Sequence, residues 1–250
     1  MSRPAVYNEI DPFCCDVLRA RIADGSLPPG DVDARDIREV QADDYRGYGQ
    51  IHLFAGIGGF GYAARLAGLP DGFDILTGGF PCQPWSVAGK HGGEADDRHL
   101  WPEMLRLVRG VRPMCVLGEN VPAIDDSGYM ALDGVLSDLE GINYAAGAVE
   151  IPACAVSAPH ERNRCWIIGN DRGERGEGST EEQIQGECGV SRRKNGREHQ
   201  NVFNGWALHT PKLCRTGDGL PNRVDRLKSL GNAIVPQVAA EIMRAMREAA

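Results

Sequence analysis

Short apolar runs bounded by turn residues alternate along the chain with stretches of helical spacing, and that alternation predicts a parallel sheet flanked by helices. Ala5 to Asp11 (Ala-Val-Tyr-Asn-Glu-Ile-Asp) reads as a strand that ends in acidic residues. Phe13, Val17, Leu18 and Ile22 then recur at about the helical period, until Asp24-Gly25 and Pro28-Pro29-Gly30 break the pattern. Val32 to Ile37 is a second strand or its exit. Ile51 to Ala55 is a clearer strand, because it runs straight into Gly56-Ile57-Gly58-Gly59 and a helical stretch, Phe60 to Ala67. Strands at Phe73 to Thr77 and Met114 to Gly118 flank a helix at 99–109. A helix at 128–140 follows, with strands at Tyr144 to Ile151 and Arg164 to Gly169. Residues 171–201 are rich in Gly, Glu, Arg, Ser and Gln with few large apolar side chains, which predicts irregular structure. Val235 to Ala249 is a final helix.

Composition narrows this picture. The 250 residues are 42% hydrophobic and 25% charged, ordinary values for a globular α/β chain with a sizeable core. No apolar run approaches the roughly 20 residues of a membrane helix, so no membrane partner is expected. The first residues hold no apolar stretch of signal-peptide length, so a cytoplasmic, reducing setting is expected and the 8 Cys should be thiols. There is no Cys-x-x-Cys pair, and Cys14 and Cys15 are adjacent, so no metal site is expected. The net charge of -8 argues on average against a nucleic-acid partner, but it is unevenly spread. Residues 1–159 carry 12 Lys/Arg against 23 Asp/Glu, whereas residues 160–232 carry 13 against 10. The basic surplus lies late in the chain, as a DNA-facing surface or as a solvated face.

Four motifs carry candidate chemistry. Gly56-Ile57-Gly58-Gly59, between strand and helix, fits a cofactor turn, although such turns also serve packing alone. Glu9 and Asp36 stand near strand ends, where a carboxylate can accept hydrogen bonds from ribose; each could equally cap a turn. Phe80-Pro81-Cys82-Gln83-Pro84-Trp85-Ser86 is more specific. A lone Cys is usually an inert small hydrophobe, but two prolines hold this one on a stiff loop after a buried strand, where a thiolate can be reached. Glu119-Asn120-Val121 follows the next strand and would reach the same edge. In His160-Glu161-Arg162-Asn163-Arg164 the alternate positions share one face of an extended segment, and two Arg suit a phosphate or a base carbonyl.

With these motifs in place the chain resembles the cytosine-5 DNA methyltransferase family. The carrying residues are Leu53-Phe54-Ala55-Gly56-Ile57-Gly58-Gly59, Gly79 to Ser86, Glu119-Asn120-Val121, His160-x-Arg162-x-Arg164 and Gly231-Asn232-Ala233-Ile234-Val235-Pro236. The resemblance implies a doubly wound, mostly parallel Rossmann-like sheet binding S-adenosylmethionine and releasing S-adenosylhomocysteine. It implies a catalytic domain at 1–170, a reduced target-recognition region at 171–227, and a closing segment at 228–250 that returns to the catalytic domain. Cys82 then resembles the nucleophile that adds to carbon 6 of a flipped cytosine. Glu119 resembles the group that holds ring nitrogen 3 and the exocyclic amine, Arg164 the partner of the base carbonyl, and Arg162 a supporting Arg. The cofactor contacts implied are Phe54, Ala55, Gly56, Ile57, Gly59, Glu9, Ile10, Asp36, Ile37, Pro81 and Asn232. DNA contacts are expected from Gln83, Ser86, Arg98, Lys212, Arg215 and Arg223, with Trp206 and His209 nearby, and Ser86 to Arg98 has the glycine- and charge-rich character of a closing lid.

The chain departs from the family in order. The ribose and adenine motifs usually stand between the glycine turn and Pro-Cys-Gln, but only the 20 residues 60–79 separate Gly59 from Phe80 here. Asn8-Glu9-Ile10-Asp11 and Arg35-Asp36-Ile37 precede the turn instead, so a permuted order is expected, with Glu9 at the ribose and Asp36 at the adenine amine. His52 stands where the family often has Asp or Ser. The expected partner is double-stranded DNA, acted on by a monomer, beside a cognate restriction endonuclease or as a solitary protective enzyme. An RNA cytosine-5 methyltransferase and a catalytically idle DNA-binding protein are the alternatives.

Overall fold

Seven strands form one sheet in the order β2-β1-β3-β4-β5-β7-β6 in a computed structural model that describes residues 3–80, 100–122, 126–173 and 223–249. Met1–Arg172 and Val224–Ala250 make one compact unit, the one described here; Gly173–Arg223 make a second. The strands are β1 (Ala5–Asn8), β2 (Gly30–Asp33), β3 (Gln50–Leu53), β4 (Ile75–Gly79), β5 (Cys115–Asn120), β6 (Tyr144–Pro152) and β7 (Asn163–Asp171). β2, β1, β3, β4 and β5 are mutually parallel, while β7 runs antiparallel between β5 and β6. The helices are α1 (Pro12–Ala23), α2 (Gly59–Ala67), α3 (Trp101–Val111), α4 (Asp126–Gly141), α5 (Arg223–Asn232) and α6 (Pro236–Ala249). The doubly wound expectation holds, with local differences. β1 stops at Asn8 because the Asp11 carboxylate accepts from the amides of Phe13 and Cys14 and starts α1. Of the apolar positions Phe13, Val17, Leu18 and Ile22, Leu18 is fully buried, and Cys14 and Cys15 complete the buried face of α1. α5 was not legible in the sequence.

Strand pleating separates two packed layers. Val6, Ile51, Leu76 and Val116 are cross-strand neighbours and face a core with Met104, Leu107 and Val108 of α3. Ala5, Ile75 and Cys115 belong to the opposite face, where α1, α2 and α6 pack. There α2 contributes only Phe60 and small residues (Gly61, Ala63, Ala64, Ala67) to the buried side, so it lies close to both sheet and α6. A Cβ on Gly61 would come within 2.8 Å of the Tyr7 ring.

The order of strands has a topological result. α1 links β1 to β2 in one direction across the sheet, and α2 links β3 to β4 in the opposite direction, yet both helices lie on the same face. The two crossovers therefore have opposite hands. Right-handed crossovers are close to universal, and the α3 connection from β4 to β5, on the other face, agrees with α1. The β3-α2-β4 crossover is the left-handed one, and it places the strand before the glycine turn directly beside β4.

Candidate active site

Parallel strands bring their C-terminal ends to one sheet edge, where ligands of such folds bind. β1 delivers Glu9, β3 delivers Phe54 and the glycine turn, β4 delivers Gly79 and Phe80, and β5 delivers Glu119 and Asn120. β7 runs the other way, so its start reaches the same edge: Asn120 pairs with Cys165, beside Arg164. The returning segment from Ser229 to Ile234 covers the opening. Together these residues line a cavity of about 590 Å³.

One end is built from backbone. Phe54, Gly56 and Gly58 have φ of 52°, 54° and 86°, so the turn alternates through the left-handed region, and Phe54 adopts it at a cost of about 1–2 kcal/mol. Glu9 holds this geometry. Its Oε2 accepts from the Gly56 amide at 2.7 Å and its Oε1 from the Asp11 amide at 2.8 Å. Each oxygen keeps a second lone pair for a ligand hydroxyl. The Ala55 amide donates to the Asn8 carbonyl at 2.9 Å. A Cβ on Gly59 would lie 2.7 Å from Ile234 Cγ1, so glycine is what lets the closing segment approach. Cys14 and Ser229, whose Sγ and Oγ are 3.3 Å apart, join α1 to α5 in the same wall. Ile10 stands 62% exposed at the rim, an apolar surface open to a ligand.

The other end is built from charge. Glu119 is buried and its Oε1 pairs with Arg164 Nε at 2.8 Å. Burial pushes the carboxyl pKa above its ordinary value, while Arg164 and then Arg162 oppose the shift. The group therefore sits nearer to protonation than an exposed glutamate. Arg162 donates from Nη2 to the Ala233 carbonyl at 2.9 Å, tying the start of β7 to the closing segment. Its Nε is buried without a hydrogen-bond partner among the described residues, and burial followed by repulsion from Arg164 lowers its pKa. Phe80 closes the floor, tilted against Trp101 at 5.1 Å.

Of the residues singled out in the sequence, Glu9, Ile10, Phe54, Ala55, Gly56, Ile57, Gly59, Glu119, Arg162, Arg164 and Asn232 come together in this cavity. Asp36 and Ile37 do not line it: the Asp36 carboxylate bonds to the Arg38 amide and guanidinium, and Ile37 is buried in the α3-side core. The shared extended face of His160, Arg162 and Arg164 is also corrected. The strand begins at Asn163, and Arg162 lies before it with a φ of 25°, so the two Arg meet through a turn rather than through strand alternation. Pro81, Cys82, Gln83, Ser86, Arg98, Trp206, His209, Lys212 and Arg215 lie outside the described residues, as does the side chain of Arg223. Among the described residues no group of His, Cys, Asp or Glu is placed to hold a metal ion, and no helix is long and apolar enough to cross a membrane. Asp11 and Ile234 stood within quoted motifs but were given no role of their own, and Cys14 and Ser229 were not singled out for the site. A signal for Cys14 was available in its helical spacing from Leu18; Ser229 had none.

Residues 63–201, more than half of the chain, match the family described as C-5 cytosine-specific DNA methylase. The chain belongs to the C-5 cytosine-specific DNA methylase family. The chain is 34% identical over 118 residues to the Type II methyltransferase M.NgoMIV of Neisseria gonorrhoeae, covering 47% of the chain and 28% of that relative. It is 29% identical over 179 residues to the Type II methyltransferase M.AquIA of Picosynechococcus sp., covering 68% of the chain and 63% of that relative. The chain thus spans less than two thirds of the length of these relatives. Among solved structures it overlaps a putative DNA modification methyltransferase encoded within a prophage of E. coli with a TM-score of 0.46 at 20% identity, covering 67% of the chain and 40% of that structure.

Proposed function

We propose that the protein transfers a methyl group from S-adenosylmethionine to carbon 5 of a cytosine in double-stranded DNA. The observation that carries this reading is the division of one cavity into a backbone-built end with Glu9 and a charge-built end with Glu119, Arg162 and Arg164. The first end suits the cofactor: Glu9 has lone pairs free for ribose hydroxyls, the turn from Phe54 to Gly59 presents bare backbone, and Asn232 stands on the closing segment. When bound there, S-adenosylmethionine supplies the methyl group as an electrophile. The Glu9 bond to the Gly56 amide supports a rearranged order, with the acidic residue ahead of the turn it serves.

The second end suits a flipped cytosine. In the proposed reaction the Cys82 thiolate adds to carbon 6, and electron density moves through the ring to carbon 5. Glu119 steadies the charge at ring nitrogen 3 by sharing its proton, and Arg164 turns from Glu119 toward the base carbonyl. Carbon 5 takes the methyl group, with S-adenosylhomocysteine as the leaving group, then loses its proton to a base as the bond from carbon 6 to sulfur breaks and the Cys82 thiolate is restored. Arg162 holds the closing segment in place through Ala233. Residues 171–227, with Lys212, Arg215 and Arg223, are assigned to target recognition, and Gln83, Ser86 and Arg98 to DNA contact beside the base. The protein is read as a monomer of the cytoplasm, beside a restriction endonuclease or as a solitary protective enzyme.

Labelled methyl transfer to duplex DNA tests this, with parent and Cys82→Ser run together and the digested nucleosides identified. Label in 5-methylcytosine from the parent alone is the expected result. Label in RNA and not in DNA would replace the substrate, and binding of S-adenosylhomocysteine without transfer to either would leave an idle binder.

A further inference from the structure

We infer that Arg21, which does not line the cavity, is a positioning residue for the cofactor: it holds the Ile57 carbonyl and so keeps the glycine turn in its receiving form. The inference rests on the assignment of the turn to S-adenosylmethionine and names the residue outside the pocket that sets its affinity.

The turn cannot hold itself. From Phe54 to Gly58 the backbone carries three positive φ values in alternation, and the hydrogen bond described within it is that from the Gly58 amide to the Ala55 carbonyl at 2.9 Å. Two glycines and an alanine offer no side chain that could reach a partner. α2 holds its last residue, with the Tyr62 amide donating to the Gly58 carbonyl at 2.9 Å, and the ties at residues 55–57 come from the segment that precedes it in the chain. Asn8 accepts from the Ala55 amide, Glu9 accepts from the Gly56 amide, and Arg21 donates from Nη1 to the Ile57 carbonyl at 2.8 Å. A carboxylate just past β1 thus accepts from one peptide N–H, and a guanidinium on α1 donates to the peptide C=O of the next residue. Leu18 and Leu27 fill the space under Gly58, where a Cβ would meet them at 3.1 and 2.6 Å.

Arg21 suits the task for local reasons. It lies in the last turn of α1, where a cation is favoured by the helix dipole, and it is half-buried, so its hydrogen bond to the turn is shielded from water. Both Gly56 and Ile57 line the cavity, so a shift of the Ile57 peptide alters the surface the cofactor meets, while the Glu119 end is left alone.

The test uses the full chain as parent, Arg21→Met, Arg21→Lys and, as a packing control on the same helix, Ile22→Val. S-adenosylhomocysteine is titrated calorimetrically into each, melting temperatures are recorded, and kcat and KM for S-adenosylmethionine are measured on duplex DNA. Arg21→Met should weaken S-adenosylhomocysteine about tenfold, in the range of one charge-assisted hydrogen bond, with KM rising in parallel and kcat within about twofold. Arg21→Lys, which keeps a donor, should recover most of the loss. Parent-like binding by Arg21→Met overturns the inference. So does a loss that merely follows the melting temperature, as Ile22→Val would give. A parent that fails to bind S-adenosylhomocysteine removes the cofactor assignment itself and this inference with it, an outcome marked by identical null titrations in all four proteins.

Discussion

The two ends of the cavity solve opposite problems. At the Glu9 end the surface is made of peptide groups and empty space, and the charged side chains act on the backbone: Glu9 on an amide, Arg21 on a carbonyl. At the Glu119 end the side chains face each other, with one carboxylate and two guanidinia partly removed from water. Shape governs the first and proton affinity the second. A cofactor common to many reactions needs a fitted cradle, whereas a base undergoing attack needs groups whose charge can respond.

Breaking the charged end should cost most. Glu119→Gln should lower kcat on the order of 100- to 1,000-fold while S-adenosylhomocysteine binds as before, which single-turnover kinetics and calorimetry would separate. An equal loss of cofactor affinity would erase the distinction between the ends. The backbone end should respond in the reverse sense. Gly59→Ala forces Ile234 to move, and overpacking of about 1–3 kcal/mol should appear as a weaker Kd for S-adenosylhomocysteine with kcat at saturation little changed.

Acid sharpens the same contrast. His52 lies fully buried just ahead of the turn, stacked on Tyr7 and hydrogen-bonded through Nδ1 to Thr77 at 2.8 Å. Burial pushes its pKa down to about 3. In the unfolded chain the ring protonates near its ordinary value of 6.5. Above that pH neither state carries the proton and stability is full. As pH falls below it, the unfolded state gains a proton the folded state refuses, and stability drops on the order of 1 kcal/mol per pH unit. Urea unfolding of the parent and His52→Leu at pH 7 and pH 5 should show the steeper loss in the parent. The smallest effect is expected at the wall: Ser229→Ala should cost about 1 kcal/mol or less in thermal unfolding, the worth of one hydrogen bond to Cys14.

What the sequence made legible follows the range of the interactions. The glycine turn, Glu9, Glu119 and the two Arg could be read because each is fixed by its place at a strand end, and apolar runs mark strand ends locally. The Cys14 to Ser229 contact joins residues 215 positions apart, and the Arg21 bond to Ile57 spans 36; neither leaves a local trace. The strand expected from Ala5 to Asp11 ended early because Asp11 took two amides for a helix cap, a competition between side chain and ladder that apolar spacing does not record. Arg162 lines the cavity without sharing a strand face with Arg164, since it lies ahead of β7 with a positive φ that residue spacing does not record. The left-handed α2 crossover was invisible for a similar cause: hand is a property of how units stack, and the order of motifs alone does not state it.

That order also sets a sequence of events at the ribosome, where chains emerge N-terminus first. β1, α1, β2, β3 and α2 are complete at Ala67, so the carboxylate and the guanidinium that hold the glycine turn are already waiting when the turn is made. Ile234, which packs against Gly59, emerges long after Ala67. The residues that hold the turn thus leave the ribosome together with it, and the residue that packs over it follows only after β4, β5, β6 and β7 have been made.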